Sequence, residues 1–271
     1  MKIVSWNCRG GFDGDKPKII NESFNDADIL VIPECRKMDM DVKIEGYSND
    51  KEHRDWYGDG KEVVKDEAGN PNKIYNRGIG IFCKKGITIK QNEKWDKELR
   101  DNNDYRYLVP YNVSSEKFGA FTLIAVWTKG RLKGVKEDKF EYVEKIHAAI
   151  DKYKKIGLLD DRVILIGDFN SNKVWDKEYN KELNHSKLVC KLENEYGIIE
   201  YSESNKENYS TYHYYHKEEK EVIDDYCFAS KNIAKSAEFT VPASSEWDKG
   251  ENIKLWKGLS DHCPICVEFT L

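Results

Sequence analysis

Five short clusters of carboxylates, amides and one imidazole punctuate the chain: Ser5-Trp6-Asn7, Pro33-Glu34, Gly167-Asp168-Phe169-Asn170, Asp225-Tyr226 and Ser260-Asp261-His262-Cys263-Pro264. Each follows or closes an apolar, strand-like run: Lys2-Ile3-Val4, Ile29-Leu30-Val31-Ile32, Val163-Ile164-Leu165-Ile166, Val222-Ile223 and Pro264-Ile265-Cys266-Val267. Polar residues placed at strand ends in both halves predict one site assembled from the whole chain. Hard divalent cations take carboxylate and amide oxygens, and an imidazole changes charge near neutral pH. Together these groups suit metal-assisted attack on a phosphate ester.

The elements that must position these clusters are short strands separated by polar loops, with few helices. Between Asp138 and Lys155, Phe140, Val143, Ile146, Ala149, Ile150 and Tyr153 recur at three- and four-residue intervals, which predicts a helix. A second helix is expected from Lys187 to Tyr196, with Leu188, Val189 and Leu192 on one face and Gly197 as its C-terminal cap. Further strands are expected at Gly78–Cys83, Phe118–Trp127, Thr211–Tyr215, Asp225–Ser230 and Cys263–Phe269, several rich in β-branched and aromatic residues. The charged, Gly-, Asp- and Lys-rich stretch from Glu45 to Asn76 reads as one long loop. Periodicity by itself gives mixed α and β.

Composition narrows the class. The 271 residues can bury a substantial core and are read as a single domain, 1–271. With 34% charged residues and a mean hydropathy of -0.77, no run approaches the ~20 apolar residues of a membrane span. No signal-like apolar segment opens the sequence, so a cytoplasmic location is expected. The seven cysteines are an odd number, mostly within or beside apolar runs, as buried thiols are. A net charge of -5 that includes 44 basic residues leaves room for a local basic face, for which Lys129, Arg131, Lys133 and Lys136 are candidates.

In this order and spacing the five clusters resemble the endonuclease/exonuclease/phosphatase superfamily, over residues 2 to 268. The resemblance implies an α+β fold, a four-layer α/β/β/α sandwich of two packed mixed β-sheets flanked by helices. It implies Mg²⁺ or Mn²⁺, with Glu34 as the principal ligand and Asn7 and Asp261 at the remaining metal and water-shell positions. Asp168 is implied to orient or deprotonate the attacking water, Asn170 to donate to the phosphate or the nucleophile, and protonated His262 to stabilise charge on pentavalent phosphorus. Asp225 is implied as the carboxylate behind His262, because Asp225-Tyr226-Cys227-Phe228 matches the family's Asp-Tyr-x-Phe; neighbours in a strand face opposite ways, so Asp224 would point elsewhere. Asp168 and Asn170, two apart, would share a face of an extended strand end, although Gly-Asp-x-Asn also suits an Asx turn.

The chain departs from the pattern in its central strand. AP-type nucleases carry Asn, Tyr and Pro-Asn there and many phosphatases Asn-Thr-His, whereas this chain reads Ala125-Val126-Trp127-Thr128-Lys129. Lys129 is then the candidate substitute cation. Arg9 stands two after Asn7, where some relatives have an acid or amide. Arg77, His185, Tyr212 and Tyr214 are the other candidate substrate contacts; aromatics such as Trp56-Tyr57, Trp175 and the run Tyr212-His213-Tyr214-Tyr215 can stack bases or simply fill a sheet. The expected function is metal-dependent phosphoester hydrolysis, foremost of DNA or RNA. The alternatives are a phosphatase or phosphodiesterase of a small or lipid-linked phosphate, and a binding protein with a retired site. Nucleic acid is the expected partner, and no protein partner is inferable.

Overall fold

Alternation decides the architecture. In the strands containing Ile3-Val4, Ile29-Leu30-Val31-Ile32 and Ile79 to Phe82, Ile3, Ile29, Val31, Ile79 and Ile81 enter one apolar cluster. Their neighbours Val4, Leu30, Ile32 and Phe82 enter another. A sheet apolar on both faces must be covered on both.

The computed structural model describes residues 1–58, 62–65, 71–75, 77–130, 140–159, 162–178, 180–202, 211–214, 220–241 and 259–271. In chain order the elements of the first half are β1 (Lys2–Ser5), α1 (Lys16–Phe24), β2 (Ile29–Arg36), β3 (Arg54–Gly58), β4 (Glu62–Lys65), β5 (Pro71–Tyr75), β6 (Arg77–Cys83), β7 (Ile87–Gln91), α2 (Lys97–Asp101), β8 (Leu108–Ser115) and β9 (Gly119–Trp127). The second half adds α3 (Tyr142–Lys155), β10 (Val163–Asp168), α4 (His185–Tyr196), β11 (Ile198–Glu200), β12 (Tyr212–Tyr214), β13 (Lys220–Val222), β14 (Asp225–Ser230), β15 (Ser236–Thr240) and β16 (Ile265–Thr270). One six-stranded sheet has the order β15-β16-β1-β2-β6-β3, and the other β11-β14-β10-β9-β8-β7. Both are mixed: β1 runs parallel to β2 and antiparallel to β16, and β10 parallel to β9 and antiparallel to β14.

The layers follow from the clusters. Ile19, Ile20 and Phe24 of α1 cover the first sheet's outer face together with Val4, Leu30 and Ile32. Val143, Ile146, Ala149, Ile150 and Tyr153 of α3 join the cluster of the second sheet, where Tyr153 Oη donates to Leu108 O of β8 at 2.5 Å. The expected α/β/β/α sandwich is therefore the fold. Among the described residues no helix is long and apolar enough to cross a membrane.

Element bounds differ from expectation where local chemistry intervenes. The helix expected from Asp138 starts at Tyr142, behind a capping box between Glu141 and Glu144; residues 138 and 139 lie outside the described residues. The helix expected from Lys187 starts at His185, because Asn184 Oδ1 accepts from Lys187 N and caps it, and it ends at Gly197 with φ 65. The stretch Glu45–Asn76 is not one loop: it contains β3, the edge of the first sheet, and the β4-β5 hairpin. Its Asn76 is outside the described residues, as are Tyr215, Arg131, Lys133 and Lys136, and the side chains of His213 and Tyr214.

Gly167 sets how closely β9 and β10 meet beside the last residue of β10. Its φ is 144°, and a Cβ there would stand 2.0 Å from Val126 O. Gly167→Ala should therefore destabilise the protein by ~3 kcal/mol or more, read as a lower urea midpoint at unchanged m-value.

Candidate active site

All five clusters meet at one end of the sandwich, where β1, β2, β10 and β14 finish or begin. Just past β1, Trp6 N donates to Val31 O (3.0 Å) and Cys8 N to Pro33 O (3.1 Å), so residues 6 and 8 stay on β2. Asn7, between them, faces the second sheet and donates from Nδ2 to Asp168 Oδ2 at 2.8 Å. The loop after it is fastened by buried Lys16, whose Nζ donates to Cys8 O (2.5 Å) and Gly11 O (2.6 Å).

Glu34 owes its direction to a break in the ladder. Pro33 pairs with Ile79 and Cys35 with Gly78, which leaves Glu34 as the extra residue of a bulge, at φ 58°. A bulge re-aims a side chain out of the sheet. Its Oε2 accepts from Arg77 Nη1 at 3.0 Å, and the same guanidinium lies against Gly10, 3.2 Å from where a Cβ would stand. Arg77 thus ties Glu34 to the loop that carries Asn7.

Asp168, the last residue of β10, lies between Trp127 of β9 and Asp225 of β14 and is fully buried. Its Oδ1 accepts from Asn170 N (2.8 Å) and its Oδ2 from Asn170 Nδ2 (2.7 Å) as well as from Asn7. This is an Asx turn with Asn170 at φ 45°. The two residues meet by that turn, not along one face of an extended strand end, because the backbone reverses hand between them. Burial raises the Asp168 carboxyl to about 7, an effect that Asp225 reinforces and His262 opposes.

His262 Nδ1 is 2.8 Å from Asp225 Oδ2, and both groups are buried. Burial disfavours the imidazolium, but Asp225 and then Asp168 outweigh it and lift His262 to about 10. At neutral pH the ring is therefore a cation with Nε2–H available. Its frame is rigid: Trp6 Nε1 donates to His262 O (2.9 Å), Ser260 Oγ accepts from His262 N (3.2 Å) and donates to Asn7 O (2.6 Å), and the Tyr212 ring stacks at 4.7 Å. Thr211 Oγ1 accepts from the backbone N–H of both Asp224 (2.8 Å) and Asp225 (3.0 Å).

Ligand atoms of Asp168, Asp225 and His262 lie within 4.8 Å of one another. A protonated, paired imidazole is an acid and not a ligand, so the oxygens are what a cation could use. The buried Oδ1 atoms of Asp224 and Asp225 have no hydrogen-bond partner among the described residues. Glu34, Asn7 and Asp261 offer carboxylate and amide oxygens of the kind that suit Mg²⁺ or Mn²⁺, and the unsatisfied Asp225 Oδ1 lies in the buried Asp168–Asp225–His262 group. Asp261 is also 3.5 Å from Arg9 Nε.

The remaining candidates divide. Lys129 follows Thr128, whose N donates to Asp168 O at 3.1 Å, and its ammonium lies over the rings of Trp127 (4.1 Å) and Tyr107 (4.9 Å). His185 turns inward: it is 5% exposed, shares a 2.6 Å hydrogen bond with Ser171, and packs on Tyr226. Burial lowers it to about 4, so it braces the Asp168–Asn172 loop from below. Sequence reasoning missed Tyr142, half-buried at φ 27°, whose phenol is raised by burial and by Glu141, Asp168 and Asp224. Its place opening α3 gave no signal, since a helix-start aromatic is ordinary.

No protein-family model matches the chain, and no curated protein matches it. Solved structures do. The 3'-5' exonuclease NExo from Neisseria meningitidis superposes with a TM-score of 0.59 at 18% identity, over 100% of both chains. D. rerio TDP2 complexed with single strand DNA product gives 0.59 at 13%, over 100% of this chain and 99% of that one. An endonuclease/exonuclease/phosphatase family protein from Bacteroides thetaiotaomicron gives 0.55 at 19%, over 100% and 98%. The chain has the fold these proteins share.

Ring nitrogen NMR of the metal-free protein checks the two histidine assignments. His262 should remain imidazolium from pH 6 to pH 9 and lose its proton only as the pH rises toward about 10. His185 should remain neutral down to about pH 4. A single His262 titration near the ordinary ~6.5 would remove the charge assigned to it.

Proposed function

We propose that this chain is a divalent-metal-dependent phosphoesterase that hydrolyses phosphodiester bonds of nucleic acid by in-line attack of water, without a covalent intermediate. The observation that carries the reading is a pair of buried groups with complementary roles, a carboxyl raised toward neutrality at Asp168 and an imidazolium held by Asp225 at His262. A general base poised near 7 and a fixed cation are what a water nucleophile and a pentavalent phosphorus require.

Asp168 takes the proton of the attacking water. Asn7 and Asn170 point its oxygens, so the carboxylate does not rotate away from the nucleophile. His262 donates from Nε2 to a non-bridging phosphoryl oxygen, and Asp225 keeps the ring charged and oriented. Glu34, Asn7 and Asp261 would hold Mg²⁺ or Mn²⁺, and the ion would supply Lewis-acid polarisation of the phosphoryl group. Arg77 and Lys129 border the site as cations for flanking phosphates, and Tyr212, stacked on His262, closes one side.

The sandwich fold is common to nucleases and phosphatases, so fold does not choose the substrate. Nucleic acid is favoured by the cations and rings around the site and by the single strand DNA product in the similar D. rerio structure. The test is hydrolysis of supercoiled and linear DNA, abasic duplex, single-stranded RNA, cyclic dinucleotides and inositol phosphates with Mg²⁺ or Mn²⁺. A polynucleotide should be cut. Turnover confined to small phosphates would transfer the chain to the phosphatase reading, and silence throughout would make it a binding protein.

Two variants separate the roles. His262→Asn retains an amide for Asp225 and removes the Nε2 donor; it should lower kcat by about 10²- to 10⁴-fold with the melting temperature little changed. The truncation His262→Ala is a poorer probe, because it strands a buried carboxylate at a penalty of ~3–5 kcal/mol. Glu34→Gln should weaken Mn²⁺ binding in calorimetry, and unchanged affinity would displace Glu34 from the metal site.

A further inference from the structure

A second recognition surface lies beyond the candidate active site, on the outer face of the first sheet. The turn Lys37–Asp41, which follows β2 directly, and the edge strand β3 enclose a groove of about 820 Å³ lined by Arg36, Lys37, Met40, Lys51, Arg54 and Trp56 among others. Four of these six are cationic in a chain whose net charge is -5. Two carboxylates, Asp41 and Asp55, also line it. Asp55 accepts from Gln91 Nε2 at 2.5 Å, and its carboxyl is raised by burial, so its negative charge is weakened.

The two arginines are fixed within the protein, and the two lysines face solvent. Arg36 forks onto Asp39 through Nε (3.1 Å) and Nη2 (2.6 Å) and reaches Asp13 at 2.6 Å, which fixes its plane. Arg54 is only 7% exposed and is held by carbonyls: Nε donates to Ser48 O, and Nη1 to Met40 O and Val42 O, with the Asp41 charge nearby. Its buried Nη2 has no hydrogen-bond partner among the described residues. Lys37 and Lys51 are exposed. Trp56 is pinned by its Nε1–H to Cys35 O at 2.9 Å, and Met38, 70% exposed, lies on the rim.

We propose that this groove holds the backbone of a single-stranded nucleic acid whose reacting phosphate lies at Glu34. The inference deepens the nuclease reading and rests on it for the reacting end only. Arg36 pairs with Arg77 at the site end, whereas Arg54 pairs with Phe82, two strands across and four residues down β3 from Gly58. At ~3.3 Å per residue and ~4.8 Å per strand the groove reaches roughly 16 Å from the site. That span suits a short run of nucleotides on one strand and is longer than a single phosphate group needs. A single strand with spaced phosphates and accessible bases matches lysines set beside an indole and two thioethers.

The test uses fluorescence anisotropy with a fluorescein-labelled, twelve-residue phosphorothioate oligothymidylate, alongside hydrolysis of the p-nitrophenyl ester of thymidine 5'-phosphate. In the doubly charge-reversed protein, Lys37→Glu with Lys51→Glu, the oligonucleotide should bind at least about tenfold more weakly. The slope of log affinity against log salt should fall by about 1.4, as expected for two lost single-strand phosphate contacts. Hydrolysis of the small ester should stay within twofold of the unaltered protein. Oligonucleotide affinity within twofold of the original would overturn the groove assignment, as would an equal loss with the small ester. Displacement by poly-glutamate of equal charge as readily as by unlabelled oligonucleotide would assign the surface to acidic proteins instead. Anisotropy needs no turnover, so failure of the hydrolytic reading, seen as no cleavage of any ester, is distinguishable from failure of the groove.

Discussion

A fully buried carboxyl, Asp168, governs the arrangement around it. A buried charge persists only when donors surround it, and its donors come from separate places: the side chain of Asn7 beyond β1 and both the backbone and the side chain of Asn170. The Asn7 bond crosses from one sheet to the other. Apolar packing between the sheets is strong but non-directional, and it leaves their relative slide loosely specified. A 2.8 Å hydrogen bond at the seam specifies it, and Ser260 bonding to Asn7 O carries the same specification to His262.

Backbone strain concentrates in the same place. Arg9 and Asn170 at φ 45° and Glu34 at φ 58° are three of the four described non-glycine residues with positive φ, and Tyr142 is the fourth. Each such residue is unfavourable by ~1–3 kcal/mol and persists only where the surroundings over-determine it. Here the surroundings are identifiable: Lys16 grips the Arg9 loop, the β2–β6 ladder flanks Glu34, and Asp168 closes the Asn170 turn. Rigid apolar strands thus sustain a bent polar rim.

The sequence disclosed these parts unequally, for physical reasons. Strand β10 and the face of α3 were legible because their burial is written in uninterrupted or strictly periodic apolar residues. Helix α1 was not: only Ile19, Ile20 and Phe24, with Pro17 and the buried Lys16, contact the interior among polar neighbours. Strand β8 passed unnoticed because Pro110 stands inside it, although Asn112 and Ser114 alternate outward with buried Tyr111 and Val113. The Glu45–Asn76 stretch hid an edge strand, since an edge tolerates charge that a central strand cannot. The clustered residues Asn7, Glu34, Asp168, Asn170, Asp225 and His262 could be named from their motifs, but Lys16, Thr211 and Arg36 could not, because their partners are backbone groups or carboxylates reached only through folding.

Strand β1 lies in the middle of its sheet, paired on one side with β16, and the first nitrogen of the chain bonds to Phe269 O at 2.9 Å. Such pairings across more than 250 positions (|i−j| = 253 for Ser260 to Asn7) are the slowest contacts to form. The segment that supplies His262 also seats the strand that leads to Asn7. A chain still emerging from the ribosome therefore has its carboxylates but neither its imidazolium nor its closed sheet. The imidazole and the pairing that seats β1 are thus supplied by one segment, and a chain cut before Ser260 would lack both at once.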